Sequence, residues 1–188
     1  MDCTAPFYRR KLPHWQPDGA ALFLTWRLHD SLPAPSPVSL VNPGDGKAFV
    51  AMDRRLDAAA YGPVWLKDPR LAQLVVDCLR FGEAKLRLYR LRAWVVMANH
   101  VHVILFPDAS LQRITKAIKG YSGHQANQIL GRTGQRFWQH ESYDHWARDR
   151  YELERIVRYT EANPVRAGLV ASEEQWPWSS AADLRRGT

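Results

Sequence analysis

The stretch MANHVHVILFP, residues Met97–Pro107, places two histidines one residue apart inside an apolar run. Side chains in an extended strand alternate between the two faces of a sheet, so His100 and His102 point one way while Val101 and Val103 point the other. The stretch therefore predicts a strand that presents two imidazoles side by side. Taken alone, the pair fits a metal site and a hydrogen-bonded pair in a half-buried strand equally well.

The size and composition of the chain bound its organisation. Its 188 residues are enough to bury one core, whereas two full domains would each be small. Hydrophobic residues make up 46% and charged residues 24%, which is ordinary for a globular protein and unlike disordered chains. We predict a single domain over residues 1–188, with an N-terminal basic arm and a C-terminal tail.

The chain is basic, with a formal net charge of +7 and a pI near 9.7. The charge is unevenly distributed, because residues 109–140 contain five lysine or arginine side chains and no acidic residue. This distribution favours a polyanionic partner, most simply nucleic acid, although a solvated basic face fits the charge equally well.

Cysteine usage and the N-terminal residues indicate a compartment. Cys3 and Cys78 lie far apart and match neither a metal-binding nor a redox spacing. The N-terminal residues MDCTAPFYRRKLPHW lack the apolar core of a signal peptide, and no run approaches the length of a membrane span. We therefore predict a cytoplasmic protein in a reducing environment.

Hydrophobic periodicity divides the chain into strands and helices. Strands are predicted at residues 20–28, at 86–98, at the histidine stretch and at 142–147, and helices at 47–60, 69–82, 111–130 and from 150 onward. Asp68 before Pro69, and Asp149 three residues before Glu152, are typical of helix starts. The order predicts an α+β fold, a ferredoxin-like (split βαβ) antiparallel sheet with helices packed mainly on one face.

The last predicted helix carries a second informative pair. Its buried stripe is predicted at the spacing i, i+3, i+4 and i+7, namely Leu153, Ile156, Val157 and Thr160. Tyr159 and Asn163 lie on the shoulder of this stripe and are four residues apart, so the phenol and the amide are predicted to stand on one face. Pro164 is predicted to end the helix directly after Asn163.

Several motifs in a fixed order carry a family resemblance. They are RRKLPHWQPDGAALFLTWRLHDSLP in outline, AWVVMANHVHVILFP, GRTGQRFWQHESYDHWARD, RYTEANPVRAGLV and WPWSS, and they span residues 9–180. With the paired histidines and the later tyrosine, this set resembles the single-tyrosine HUH transposases. The closer match is to their REP-associated tyrosine transposase branch.

The resemblance implies a metal-dependent endonuclease and strand-transferase that acts on single-stranded DNA, usually at hairpins formed by repetitive extragenic palindromes. It implies that Tyr159 is the nucleophile and forms a covalent 5′-phosphotyrosine. It also implies that His100, His102 and Asn163 bind a divalent ion, Mg²⁺ or Mn²⁺. Asn163 replaces the glutamine of more distant relatives, and two imidazoles suit manganese better than magnesium. Both a monomer and a homodimer remain open.

DNA binding is predicted to combine phosphate neutralisation by basic side chains with stacking of unpaired bases on aromatic rings. The residues predicted to contact DNA are Arg9, Arg10, Lys11, Arg113, Lys116, Lys119, Arg132, Arg136 and Trp138, with Trp15 and Trp146 as further stacking candidates.

Three alternatives accompany this interpretation. Tyr121 and Gln125 repeat the tyrosine-amide spacing and form a second possible pair. A non-catalytic nucleic-acid-binding module also uses this type of sheet, but the aromatic signatures of RNA-binding domains are missing. A zinc-type hydrolase could use His100 and His102, but no glutamate base lies at a recognisable spacing.

Overall fold

Four strands form one antiparallel sheet in the computed structural model, which describes residues 19–33 and 46–186. The strands are β1 (Leu22–Arg27), β2 (Tyr89–Val96), β3 (His100–Pro107) and β4 (Tyr143–Trp146), in the spatial order β2-β3-β1-β4. β3 is antiparallel to both β1 and β2, so it lies between two mutually parallel strands that a helical segment connects. This is the split βαβ arrangement, and the predicted α+β fold is confirmed.

Six helices accompany the sheet in the described part of the chain. They are α1 (Gly46–Asp57), α2 (Pro69–Ala84), α3 (Leu111–Ile129), α4 (Arg150–Glu161), α5 (Asn163–Arg166) and α6 (Ser180–Arg186), with short 3₁₀ turns at Trp65–Lys67 and Glu173–Gln175. The four longer helices lie where periodicity predicted them. None of the described helices combines the length and the apolar character needed to cross a membrane.

Two helix starts are capped as the sequence predicted. The Asp68 carboxylate accepts the backbone N–H of Arg70, and Asp149 accepts that of Glu152 at 2.8 Å. Each aspartate thereby satisfies a backbone donor that has no partner within its own helix.

The helices cover both faces of the sheet. The prediction placed them mainly on one face, and the two longest, α2 and α3, do pack together there with Leu22, Leu24 and Trp26 of β1. However, α1 and α4 pack on the opposite face around Phe23. All six residues of β1 are buried, because alternate side chains of this strand contact different helix layers.

The histidine strand has the predicted orientation. His102 pairs with Thr25 and His100 with Arg27 in the β1–β3 register, and both histidines are fully buried on the α1–α4 side. Val101 and Val103 point into the α2–α3 core. The two imidazoles therefore share one face of the sheet, but at its buried centre rather than in a half-exposed strand.

The end of α4 differs from the prediction. α4 ends at Glu161, and Asn163 is the first residue of the short helix α5, so the prediction that Pro164 ends the helix directly after Asn163 is wrong. Ala162 keeps near-helical angles (φ −76°, ψ −4°), and proline is tolerated in the first turn of the new helix. Asn163 is thus held at a junction between two helices, where it is fully buried.

The residues after α5 pack along the outer edge of β2. The indole Nε1 of Trp176 donates to Val96 O at 2.9 Å, and Ser179 forms an isolated bridge with Val95. The C-terminal part that was predicted as a tail therefore covers an edge strand, whose unpaired backbone groups would otherwise be exposed.

Two helical glycines should respond oppositely to alanine. A Cβ at Gly82 of α2 would lie 2.1 Å from the hydroxyl of the buried Tyr89, whereas a Cβ at Gly120 of α3 meets nothing within 4 Å. We expect Gly82→Ala to lower the free energy of unfolding by about 1–3 kcal/mol, because the core is overpacked. Gly120→Ala should raise it by up to about 1 kcal/mol through helix propensity. Urea denaturation of both variants measures the two effects, and a gain in stability for Gly82→Ala would contradict the packing described here.

Candidate metal centre and nucleophile

The Nδ1 atom of each histidine in β3 lies within hydrogen-bonding distance of a neighbouring side chain, and its Nε2 atom points toward the α1–α4 layer. Asn99 Oδ1 lies 2.8 Å from Nδ1 of His100, and Thr25 Oγ1 lies 2.7 Å from Nδ1 of His102. Such outer partners fix the orientation of an imidazole and leave the other nitrogen available to a metal.

Asp53 of α1 faces both rings and was missed by the sequence analysis. Its Oδ1 atom lies 3.0 Å from Nε2 of His102 and 3.6 Å from Nε2 of His100, and its side chain is fully buried. Asp53 follows Phe49 by four residues and precedes Leu56 by three, so it belongs to the buried stripe of the helix. A carboxylate inside an apolar stripe is the signal that could have identified it, because buried aspartates are rare unless they have partners.

These three residues form a cluster that can hold a metal ion. One ligand atom from each of Asp53, His100 and His102 lies within 4.8 Å of the others, and all three residues are buried. Several buried atoms around the cluster have no hydrogen-bond partner among the described residues: Asp53 Oδ1, Asp57 Oδ1, His100 Nε2, His102 Nε2 and Asn163 Oδ1. Unsatisfied lone pairs that converge in this way fit a cation, and two imidazoles with one carboxylate form a familiar ligand set for divalent metals.

The structure brings Tyr159 and Asn163 to the same carboxylate. The Tyr159 hydroxyl donates to Asp53 Oδ2, and Asn163 Nδ2 lies 3.3 Å from that atom. The predicted pair therefore meets the histidines through Asp53. The Oδ1 atom of Asn163 is the side-chain acceptor that remains for a cation.

Two further charged residues border the cluster and were not predicted. Arg166 of α5 lies 3.4 Å from Asp53 Oδ2 and 3.5 Å from Asp57 Oδ2, and its guanidinium covers the Tyr159 ring at 3.8 Å from the ring centroid. Asp57 Oδ1 lies 3.6 Å from Nε2 of His100. Arg166 is partly exposed, with 35% of its side chain accessible, so it borders both the buried centre and the surface.

Burial and neighbouring charges shift the pKa values of this centre. Burial opposes ionisation of Asp53, but the facing His102 and His100 and the hydroxyl of Tyr159 outweigh it, so the pKa of Asp53 lies below its ordinary value. Burial, and then the charge of Asp53, raise the pKa of Asp57 to about 6. Burial and the neighbouring His102 lower the pKa of His100 to about 3, which keeps its imidazole in the neutral form that binds metals.

The phenol of Tyr159 is shifted in the opposite direction to Asp53. Burial, and then the negative charge of Asp53, raise the pKa of Tyr159 above its ordinary value, whereas Arg166 opposes this shift. The hydroxyl therefore keeps its proton at neutral pH and donates it in the bond to Asp53.

The alternative tyrosine lies away from the cluster. Tyr121 is 60% exposed on α3, a helix whose buried residues belong to the core on the opposite face of the sheet from the histidines. Tyr159 is thus the tyrosine of the two that contacts the candidate metal ligands.

The predicted DNA-binding residues have different environments. Arg9, Arg10, Lys11 and Trp15 lie outside the described residues, whereas Arg113, Lys116 and Arg136 are exposed on or beside α3. Arg132 covers the Trp65 ring at 3.9 Å and is also bonded to Gln135.

Two of these predictions need correction. Trp138 is only 7% exposed, packs edge-on against Trp26 and donates to Ser122 at 2.9 Å, so it is mainly a core residue, and the small part that stays accessible lines a groove beside α3. The ammonium of Lys119 donates to the carbonyl oxygens of Gln139 and His140 and to Ser142 Oγ, at 2.8–3.0 Å. Its three donors are thereby committed, so it contributes charge but no hydrogen bond to a phosphate.

Removal of a cluster ligand should abolish tight metal binding. We expect Asp53→Asn and His102→Gln each to raise the dissociation constant for Mn²⁺ by about 100-fold or more, and Thr25→Ala by about 10–100-fold through loss of the outer partner. His29→Gln is the matched control, because the His29 side chain is 27% exposed and pairs with Asp30 instead of with the cluster. Titration of Mn²⁺ followed by electron paramagnetic resonance gives the constants. Equal affinity in the wild type and in Asp53→Asn would contradict a metal site here.

Comparison with known proteins bears on the fold. No protein-family model matches the chain, and no curated protein matches it. Among solved structures, it is similar to a REP-associated tyrosine transposase bound to a REP hairpin. The match covers 95% of this chain and 87% of that chain, with 20% sequence identity and a TM-score of 0.56. The resemblance predicted from the sequence motifs is therefore confirmed at the level of the fold, which this chain shares with a REP-associated tyrosine transposase.

Proposed function

We propose that this protein is a metal-dependent single-stranded DNA endonuclease and strand-transferase that acts on hairpin-forming palindromic repeats in the cytoplasm. The observation that carries the proposal is the shared carboxylate of Asp53. One of its oxygens faces the two histidines and the other accepts the Tyr159 hydroxyl. A nucleophile within reach of a candidate metal cluster is the arrangement that phosphodiester cleavage by a phenol requires.

The residues that would hold the ion are Asp53, His100 and His102, with Asn163 Oδ1 as a fourth donor. Oxygen and imidazole ligands together are compatible with Mg²⁺ and favour Mn²⁺. The chemistry that a bound divalent cation would supply is positive charge, which polarises the phosphate, stabilises its oxygens and favours ionisation of a nearby phenol.

The proton of the nucleophile has an acceptor in Asp53. Because Asp53 Oδ2 already accepts the Tyr159 hydroxyl, it is positioned to take the phenolic proton as the oxygen attacks phosphorus. Arg166 lies over the same ring and would stabilise the negative charge that develops on the phenolic oxygen. Its partial exposure would also allow the guanidinium to reach a phosphate oxygen.

Each step of the proposed reaction forms one bond to phosphorus and breaks another, so no external source of energy is needed. The Tyr159 oxygen forms a bond to phosphorus, the bond from phosphorus to the 3′-oxygen breaks, and the leaving 3′-oxygen takes a proton to become a hydroxyl. The product is a 5′-phosphotyrosine, which retains the energy of a phosphodiester. Attack by another 3′-hydroxyl reverses the step and joins two strands.

Two observations support a DNA hairpin as the substrate. The structural neighbour was solved with a REP hairpin, and the present chain has a formal net charge of +7. A positive surface attracts the phosphate backbone and leaves recognition of the hairpin to local contacts.

A covalent adduct tests the proposal. Incubation of the protein with 5′- and 3′-labelled single-stranded hairpin DNA and Mn²⁺ should give a protein–DNA adduct that survives denaturation, and Tyr159→Phe should abolish it. Tyr151→Phe is the matched control, because Tyr151 lies on the same helix and is 85% exposed. Tyr121→Phe tests the second tyrosine. Gel electrophoresis in denaturant measures the adduct.

Each of the other outcomes points to a different function. Cleavage that persists in Tyr159→Phe without an adduct would indicate a hydrolase that uses water. Hairpin binding with neither cleavage nor an adduct would indicate a non-catalytic binding module. Loss of the adduct in Tyr121→Phe instead of Tyr159→Phe would assign the nucleophile to α3.

A further inference from the structure

A groove of about 720 Å³ runs between α3 and the segment that precedes β4, on the other side of the sheet edge from the metal cluster. We call it the α3 groove. Its lining includes Lys116, Gly120 and Asn127 from the helix and Gln135 and His140 from the facing segment. Its size is in the range of sites that enclose a small molecule or a single group of a larger one.

Glycines open the floor of the α3 groove. A Cβ at Gly123 would lie 3.2 Å from Cδ1 of Trp138, so the absence of a side chain lets the helix pack closely on this buried aromatic residue. Gly120 has nothing within 4 Å of its ideal Cβ position and leaves open space instead. A helix that carries both glycines loses about 1 kcal/mol of propensity at each, and at Gly120 no packing contact explains that loss.

A buried acceptor lies in the wall of the α3 groove. Asn127 is 6% exposed and its Nδ2 donates to Gln135 O at 2.6 Å, but its Oδ1 atom has no hydrogen-bond partner among the described residues. A buried acceptor without a partner costs about 1–3 kcal/mol, so a ligand that brings an N–H group to this wall is favoured.

The groove is preformed and positive. Lys119 ties α3 to the facing segment through Gln139 O, His140 O and Ser142 Oγ, which fixes the width of the groove. Residues 109–140 contain no acidic side chain, and Lys116 is exposed at the rim. A polar, positive groove with an apolar floor suits a flat group that carries N–H donors and is attached to a phosphate.

The groove and the candidate nucleophile lie on the two sides of one short segment. Ser142 lines the groove, and the next residue, Tyr143, stacks on Phe49 with ring centroids 4.5 Å apart. The ring of Phe49 lies 6.1 Å from that of Tyr159. The rings of Tyr143 and Phe49 therefore lie between the groove and Tyr159.

We propose that the α3 groove binds the base of an unpaired nucleotide of the DNA substrate, with its exocyclic amine directed at Asn127 and its phosphate near Lys116. The inference rests on the proposed function for the identity of the substrate. It adds a preference to it, because adenine, cytosine and guanine carry an exocyclic amine and thymine does not.

A thermodynamic cycle tests the groove. Fluorescence anisotropy measures the affinity of Tyr159→Phe protein for hairpins with a single-stranded extension, in which each unpaired nucleotide in turn is made abasic. One abasic position should weaken binding by about tenfold or more, as expected for loss of one held base. In the background of Gly120→Trp, which fills the groove, the same abasic change should have no further effect. Thymine at that position should bind more weakly than cytosine.

Matched variants separate groove filling from misfolding and from loss of charge. Gly120→Ala places a single methyl group in the open space and should keep most of the affinity and a thermal stability at least that of the wild type. Lys116→Glu should weaken binding of the extended hairpin, whereas Lys85→Glu, the same charge change at an exposed site outside the lining of the groove, should have a smaller effect.

The outcomes distinguish the two proposals. If the abasic and Gly120→Trp effects simply add, the groove does not hold a base, even if the wild type forms the tyrosine adduct. If the two effects are coupled but no adduct forms with Mn²⁺, base binding in the α3 groove is supported and the proposed catalysis is contradicted. Equal coupling with an RNA hairpin would overturn the assignment to DNA, and the absence of any hairpin binding would overturn both proposals.

Discussion

Burial of the Asp53 carboxylate is the constraint on which the centre depends. A charge removed from water costs several kcal/mol unless partners replace the lost hydration. Here the partners come from three elements: His100 and His102 from β3, Tyr159 from α4, and Asn163 with Arg166 from α5. Each contact that lowers the cost of burying Asp53 also holds a side chain of the candidate site at the same point. The same contacts therefore stabilise the buried carboxylate and assemble the candidate site.

The register of the sheet controls the geometry of the two histidines. A slip of one residue in β3 would turn both rings to the opposite face, into the α2–α3 core. The hairpin turn opposes such a slip, because Asn99 Oδ1 accepts the Nδ1–H of His100 and Asn99 Nδ2 donates to Leu56 O in the last turn of α1. Thr25 of β1 contacts His102 in the same way. The turn is thus joined to the helix that carries Asp53, so ring orientation and carboxylate position change together.

Features of the site that depend on residues close together in the sequence could be predicted, whereas those that depend on contacts between distant segments could not. The histidine face follows from strand alternation, and the placement of Tyr159 beside Asn163 follows from helical spacing, so both were available locally. Asp53 requires knowledge that α1 covers the histidine face, and α1 was predicted as a helix without an assigned partner. Trp138 was misjudged because composition cannot distinguish an aromatic ring at a DNA surface from one that packs under a helical glycine.

Local sequence patterns could not predict features that form only when distant segments of the chain come together in the fold. The committed ammonium of Lys119 illustrates this, because a lysine in an acid-free segment resembles a phosphate ligand until its carbonyl partners are known. These same bonds hold the residues before β4 against α3, and β4 begins at Tyr143, whose ring stacks on Phe49 beside Tyr159. The edge strand β4 is four residues long, and all four of its residues are partly exposed. The groove and the centre therefore meet at a short edge strand whose position depends on the bonds of Lys119, a dependence that no local pattern in the sequence reveals.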